Sequence, residues 1–321
     1  VNAAQPNSKF IDQLTPIWQK LLGRAPIGIH DNFFELGGTG AIAHQLFSEA
    51  AQVSSQKLPP VAIFIAPTIA EMAQLLEHPD AAALPAAIQL KDGAGQPPIF
   101  MTHGLGSSVL DLSTLAQHIV TNRPIYGLQA RGTEGTVPPC ESVEEMATYS
   151  LEAIQRIQPH GPYTLIGYSF GGLVLMEIAH RLRAHGETVA MLAMVDTYPS
   201  KRAMKAVPLA RLMLLLAKRR VLRGLGLLKD HYRPVPTAHV QRQKDMSYLA
   251  LSKYQPRPYD GQIRFLRAAE VSDFPADPVP VWTHLAKSLT VETLPGNHLE
   301  MLDAHPEALA AALSRYLHES E

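Results

Sequence analysis

The most constraining stretch of the chain is Thr164–Gly172, which reads TLIGYSFGG. It holds a G-x-S-x-G pattern, Gly167-Tyr168-Ser169-Phe170-Gly171, after the apolar run Tyr163–Ile166 and before an apolar-periodic stretch from Leu173 to Leu182. That order predicts strand, tight turn, helix. A serine on such a turn projects its hydroxyl above the end of a sheet. The flanking glycines allow neighbouring backbones to approach where a side chain would collide. The helix that opens at the turn aims its first amides at the serine, where they can hold a developing oxyanion. The competing reading is a glycine-rich turn whose serine is idle.

The surrounding pattern supports the first reading. From Pro97 onward, strands and helices alternate. Strands are expected at Pro98–Thr102, Pro124–Ala130, Tyr163–Ile166 before the serine turn (the elbow), Thr188–Val195, Ile263–Arg267 and Leu289–Leu294, with a final helix over Pro306–Leu317. Ser142-Val143-Glu144-Glu145 has capping-box spacing and opens a helix running to about Ile157. Such alternation predicts a mainly parallel sheet covered on both faces. Ligands in such sheets bind beyond the carboxyl ends of the strands.

A serine hydroxyl needs a base within hydrogen-bond reach and a carboxylate to fix the imidazole tautomer. The expected chain order is serine, acid, histidine. His298, in Gly296-Asn297-His298-Leu299, follows the last strand and is the best base; His284, His305 and His318 read as surface residues. Two placements compete for the acid. Asp196 ends the apolar strand after the elbow helix, whereas Asp273 and Asp277 follow the next strand. Asp196 is preferred, because an aspartate at the tip of an apolar strand is costly without a partner; its alternative role is a turn cap. The oxyanion donors are expected to be the backbone amides of Phe170 and of Leu105, with Gly104 second to Leu105. His103 reads as a loop-shaping residue and Cys140 as incidental.

The insertion Thr197–Pro258 breaks the alternation and carries Arg211–Arg233, RLMLLLAKRRVLRGLGLLKDHYR. It reads as a helical lid with its apolar face over a cleft, in preference to a membrane-surface helix.

The N-terminal part has a different texture. Phe10, Ile11, Leu14, Ile17, Trp18 and Leu21 recur at helical spacing, a second helix is expected from Gly40 to Val53, and a third from Pro67-Thr68 through Leu76. Residues 1–78 therefore read as a small helical bundle, and residues 79–96, rich in Ala, Pro and Gly, as an interdomain linker.

Bulk properties exclude several classes. The 321 residues carry a formal net charge of −1, so no overall field favours nucleic acid or acidic surfaces, and no run is long and apolar enough to span a bilayer. One cysteine rules out an internal disulfide framework and fits a reducing, cytoplasmic setting. No metal-ligand cluster stands out. The first residue is Val1, which fits a segment of a longer polypeptide.

Two resemblances follow from these residues. Ile17-Trp18, Leu22-Gly23, Ile27-Gly28 and above all Asp31–Gly38, DNFFELGG, closely resemble a peptidyl carrier protein, the thiolation domain of nonribosomal peptide synthetases. In that family, a serine two residues beyond the octet takes a phosphopantetheine arm. Here Thr39-Gly40 stands there, so the attachment position is Gly40, which has no oxygen to phosphorylate. An engineered exchange, a naturally dead carrier and modification shifted to Thr39 are the three explanations. If residue 40 is natively serine, the resemblance implies a phosphopantetheinyl transferase as partner.

Residues 97–321 resemble the type I thioesterase that terminates nonribosomal peptide and polyketide synthetases. The resemblance is carried by Pro98-Ile99-Phe100 before His103-Gly104, Tyr126-Gly127-Leu128 before Arg131-Gly132, Gly161-Pro162-Tyr163, Gly167–Gly172, Val195-Asp196 and Gly296–Leu302. It implies a small all-α carrier bundle followed by an α/β-hydrolase domain with lid 197–258. It also implies Ser169 as acyl acceptor, Asp196 as acid and His298 as base. The implied partners are upstream synthetase modules with their carrier-bound chains, and the implied release is hydrolysis or macrocyclisation. A general serine esterase or lipase and a non-catalytic docking module are the alternatives.

Overall fold

In a computed structural model, residues 8–54, 58–78, 84–95, 97–133, 137–198, 238–270, 277–303 and 306–319 are described. The N-terminal bundle consists of α1 (Ser8–Leu22), α2 (Gly40–Ser54), a 3-10 turn at Pro60–Phe64, and α3 (Ile69–Glu77). Thr68 caps α3, its side chain accepting from the Glu71 amide, which satisfies one of the orphan donors of the first turn. Leu14, Trp18, Phe33, Leu46 and Met72 fill its core. Phe33 meets Trp18 edge-on at 5.4 Å, which accounts for one aromatic of DNFFELGG. Asp31 of the same octet accepts from the Gly28 amide at 2.8 Å and holds the preceding loop.

The remainder builds one seven-stranded sheet in the order β1-β3-β2-β4-β5-β6-β7. The strands are β1 (Ala87–Lys91), β2 (Ile99–Thr102), β3 (Ile125–Leu128), β4 (Tyr163–Tyr168), β5 (Val189–Val195), β6 (Tyr259–Ala268) and β7 (Ala286–Leu294). All pairings are parallel except β1 with β3. The mainly parallel sheet expected from the sequence is therefore present.

One expectation needs correction. Residues 79–96 read as a linker, yet β1 lies inside that segment and forms the sheet's edge. Its five residues alternate inward Ile88 and Leu90 with outward Gln89, a pattern too short to stand out among alanines, prolines and glycines. β7 begins at Ala286, three residues before the expected Leu289.

Burial on both faces follows from alternation along the central strands. Ile166 and Tyr168 of β4, with Met191, Ala193 and Val195 of β5, face a cluster containing Leu115, Leu309 and Leu313. Tyr163 and Leu165 of β4, with Leu192 and Met194 of β5, face the opposite cluster with Leu173, Ile178 and Trp282. The second layer holds α5 (Val143–Ile157) and α6 (Phe170–Ala184), which follow β3 and β4 in the chain. Helix α4 (Ser113–His118) and the C-terminal helix Pro306–Glu319 cover the first face.

Of the insertion 197–258, residues 199–237 lie outside the described residues, and with them the basic stretch Arg211–Arg233. The helix Ala238–Lys253 completes it. Its exit is tied to α6 by a buried carboxylate. Glu177 accepts from Arg257 at 3.0 Å, from Arg181 at 3.2 Å and from the Tyr254 hydroxyl at 3.4 Å. Among the described residues, no helix is long and apolar enough to cross a membrane.

Candidate active site

The turn between β4 and α6 is built as the sequence implies. Ser169 has φ 55° and ψ −124°. Among the described residues, it and Asp196 (φ 43°) are the non-glycine residues with positive φ. Side chains in that region are strained, and such strain persists only where the surroundings over-determine it. The Ser169 amide donates to the Val195 carbonyl at 2.7 Å, which locks the turn to β5.

The glycines make the close approach possible. A Cβ on Gly171 would stand 2.6 Å from the His103 carbonyl oxygen. Side chains at Gly167 and Gly172 would overlap the α6 backbone and Thr197. A Cβ on Gly104 would stand 3.1 Å from Ser169 Cβ, so the loop after β2 lies directly against the serine. The amide of Phe170 opens α6 on the other side.

Asp196 ends β5 beside the elbow, 1% exposed. Its amide donates to the Leu266 carbonyl, and its Oδ1 accepts from the Ala268 amide at 3.2 Å. Oδ2 faces His298 Nδ1 at 2.6 Å. With Nδ1 protonated toward Asp196, Nε2 is the acceptor, the tautomer a general base needs. The alternative acids are not so placed: Asp277 is exposed, caps Val279 and pairs with Arg267 at 3.4 Å, and Asp273 lies outside the described residues.

His298 is fixed from a third direction. Tyr168, the residue before Ser169, stacks on the imidazole with centroids 5.0 Å apart, and its hydroxyl donates to the His298 carbonyl at 2.5 Å. Sequence reasoning passed over Tyr168, because the x positions of G-x-S-x-G carry no residue preference in the pattern itself. Trp282 is a second such residue: its Nε1 donates to the Thr197 carbonyl at 2.8 Å and pins the backbone just after Asp196.

His103 is buried, its Nδ1 3.0 Å from the Gly104 carbonyl. Burial lowers its pKa below the ordinary histidine value, opposed by that hydrogen bond and by Asp111. It thus shapes the loop carrying Gly104 and Leu105 as a neutral group. Burial also pushes the Cys140 thiol up, away from the thiolate that reactivity requires. A cavity of about 40 Å³ opens beside the elbow, bounded by His103, Gly104, Phe170, Cys140, Tyr149 and Gln243. It has room for a few water molecules.

Gly40, the first residue of α2, is buried. It offers no side-chain oxygen, and a Cβ there would stand 2.8 Å from the Leu110 carbonyl oxygen. A phosphopantetheine arm does not fit this position.

The fold and this constellation define a serine-elbow protein of the α/β-hydrolase class, preceded by a helical carrier. The family profile described as thioesterase domain matches residues 97–317, and that described as phosphopantetheine attachment site matches residues 12–76. The chain belongs to the thioesterase domain family and is a carrier–thioesterase didomain.

The chain is similar to parts of much longer synthetases. Malpibaldin synthetase of Mortierella alpina is 33% identical over 261 residues, 80% of this chain and 5% of that protein. A dimodular nonribosomal peptide synthase of Bacillus subtilis (strain 168) is 34% identical over 201 residues, 62% of this chain and 8% of that protein. The chain thus spans a small fraction of the relatives it matches. Among solved structures, the NocB thioesterase domain in covalent complex with a fluorophosphonate nocardicin G analog is similar at TM-score 0.55 and 26% identity, over 70% of this chain and 96% of that one.

Proposed function

We propose that this chain is the chain-terminating end of a nonribosomal peptide or hybrid synthetase. In this reading, Ser169 takes an acyl or peptidyl group from a carrier-bound thioester and then releases it. The observation that carries the reading is the Asp196–His298 pair at 2.6 Å, its carboxylate buried, on the rim of the sheet where the strained Ser169 turn stands. The carrier–thioesterase order and the synthetase relatives support the thioester as substrate class, in preference to a general ester.

The chemistry follows from the residues. His298 Nε2 takes the Ser169 proton as Oγ attacks the thioester carbonyl. The Oγ–C bond forms, and the negative charge on the carbonyl oxygen rests on the Phe170 and Leu105 amides. As the C–S bond breaks, His298 gives the proton to the departing sulfur, leaving an acyl-Ser169 ester and a free thiol. Water, or an amine or hydroxyl of the acyl chain, then attacks the ester. His298 takes the attacking proton and returns it to Ser169 Oγ, releasing an acid or a ring. Asp196 stays ionised and stabilises the imidazolium throughout.

Mass spectrometry of the intact chain after mixing with acyl-pantetheine thioesters tests this. A mass increase mapping to Ser169, followed by release, is expected. Labelling elsewhere, or turnover undiminished in Ser169→Ala, would sink the proposal.

A further inference from the structure

The contact between Gly40 and Leu110 bears on what the carrier can do. Leu110 lies on the 3-10 helix Val109–Leu112, just beyond the loop that lies against Ser169. The atom blocking a Cβ at Gly40 is the Leu110 backbone carbonyl oxygen, at 2.8 Å, with Leu110 Cγ at 3.3 Å. A backbone atom cannot turn aside as a side chain can. The Leu110 side chain is 1% exposed and packs in the carrier's core with Leu46 and Phe47.

The exchange is reciprocal. Val61, from the carrier's 3-10 turn, is 2% exposed and packs in the thioesterase core with Ile88, Leu90 and Val109. Phe64 packs against both clusters. Each domain thus seats an apolar side chain in the other's core. A carrier that shuttles must present its attachment residue and then leave. Here, leaving would expose Leu110 and Val61 to water, and the attachment position faces the interface without an oxygen.

We propose that the carrier-like domain is a fixed structural part of the thioesterase, docked through Gly40 on Leu110, and that the acyl thioester comes from an arm on a separate carrier. The source of the acyl group rests on the function proposed above; the fixed docking does not.

Backbone ¹⁵N relaxation on the intact chain tests the docking. Amides of α1, α2 and the sheet are expected to share one rotational correlation time. Carrier amides tumbling several-fold faster than the sheet would overturn it. Gly40→Ala gives a second reading. In a free helix, alanine in place of glycine strengthens the helix. Here its Cβ must push α2 off Leu110, so a lower melting temperature and loosened carrier amides are expected. An unchanged or raised melting temperature with unchanged relaxation would overturn the proposal. Gly40→Ser, mixed with coenzyme A and a phosphopantetheinyl transferase, is expected either to stay unmodified or to take the arm and release the carrier. Arm attachment with the carrier still tumbling as one body with the sheet would overturn it. None of these readouts involves Ser169, so a failure of acylation would fall on the proposed function alone.

Discussion

His298 Nδ1 meets Asp196 Oδ2 at 2.6 Å, across 102 residues of chain, and the carboxylate that makes this contact is 1% exposed. A buried carboxylate costs several kcal/mol unless it is paired. Asp196 recovers this through the imidazole and the Ala268 amide. Removing it should therefore damage catalysis more than any surface acid. Asp196→Ala is expected to slow acylation of Ser169 about 10³–10⁴-fold, the scale seen when a triad acid is lost. Asp277→Ala and Asp273→Ala should stay within about twofold. Single-turnover acylation with one thioester, followed by mass spectrometry, ranks the three; a larger loss for Asp273→Ala or Asp277→Ala would move the acid to the later strand.

The strain at Ser169 makes a separate forecast. At φ 55°, alanine keeps the penalty of a Cβ in the left-handed region and glycine does not. Ser169→Ala and Ser169→Gly should both abolish labelling by a serine-directed phosphonate while retaining the native circular dichroism. Ser169→Gly should be the more stable of the two, by about 1 kcal/mol. Urea titration of both variants measures the difference, and equal midpoints would mean that the turn stores no strain at this residue.

Acid stability should depend on His103. Its pKa is lowered in the folded protein, chiefly by burial, so the unfolded chain binds the proton more readily. The neutral ring's contribution is fully present above the unfolded value of about 6.5 and is lost as pH falls below it toward the folded value. His103→Gln, which does not titrate, should flatten the stability–pH curve below about pH 6.5 while costing some stability at pH 8 through the lost bond to Gly104. Melting temperatures across that range test the slope; parallel curves for wild type and variant would exclude His103 as the group responsible.

Much of this site was legible because its parts sit where one strand ends and a helix or loop begins. Asp196 closes an apolar strand, Val189–Val195, and a lone charge there has to be bought with a partner. Ser169 stands between glycines whose absent side chains make room for Thr102, His103 and Thr197. What was not legible depends on contacts between distant segments. Glu177 lies within the buried face of α6, and its partner Arg257 is 80 residues further on; neither carries a local signal. β1 was missed because an edge strand of five residues needs only two inward side chains. The place of Gly40 against Leu110 was equally hidden, since nothing in either local sequence names the other.

Tyr168 is the remaining test, because two of its parts act on His298 in different ways. The ring stacks on the imidazole at 5.0 Å, and the hydroxyl donates to the His298 carbonyl at 2.5 Å. Tyr168→Phe keeps the ring and removes the hydrogen bond, whose net worth is about 0.5–1.5 kcal/mol. If that bond holds the histidine loop in register with Ser169, kcat should fall about 2- to 12-fold with KM nearly unchanged, because positioning is lost and no substrate contact is removed. Tyr168→Leu removes both parts and should cost more, again in kcat. Active-site titration with a serine-directed phosphonate separates positioning from general destabilisation. Tyr168→Phe should reach the same final labelled fraction as wild type while turning over more slowly, whereas a variant that merely unfolds more easily would lose labelled fraction in step with kcat.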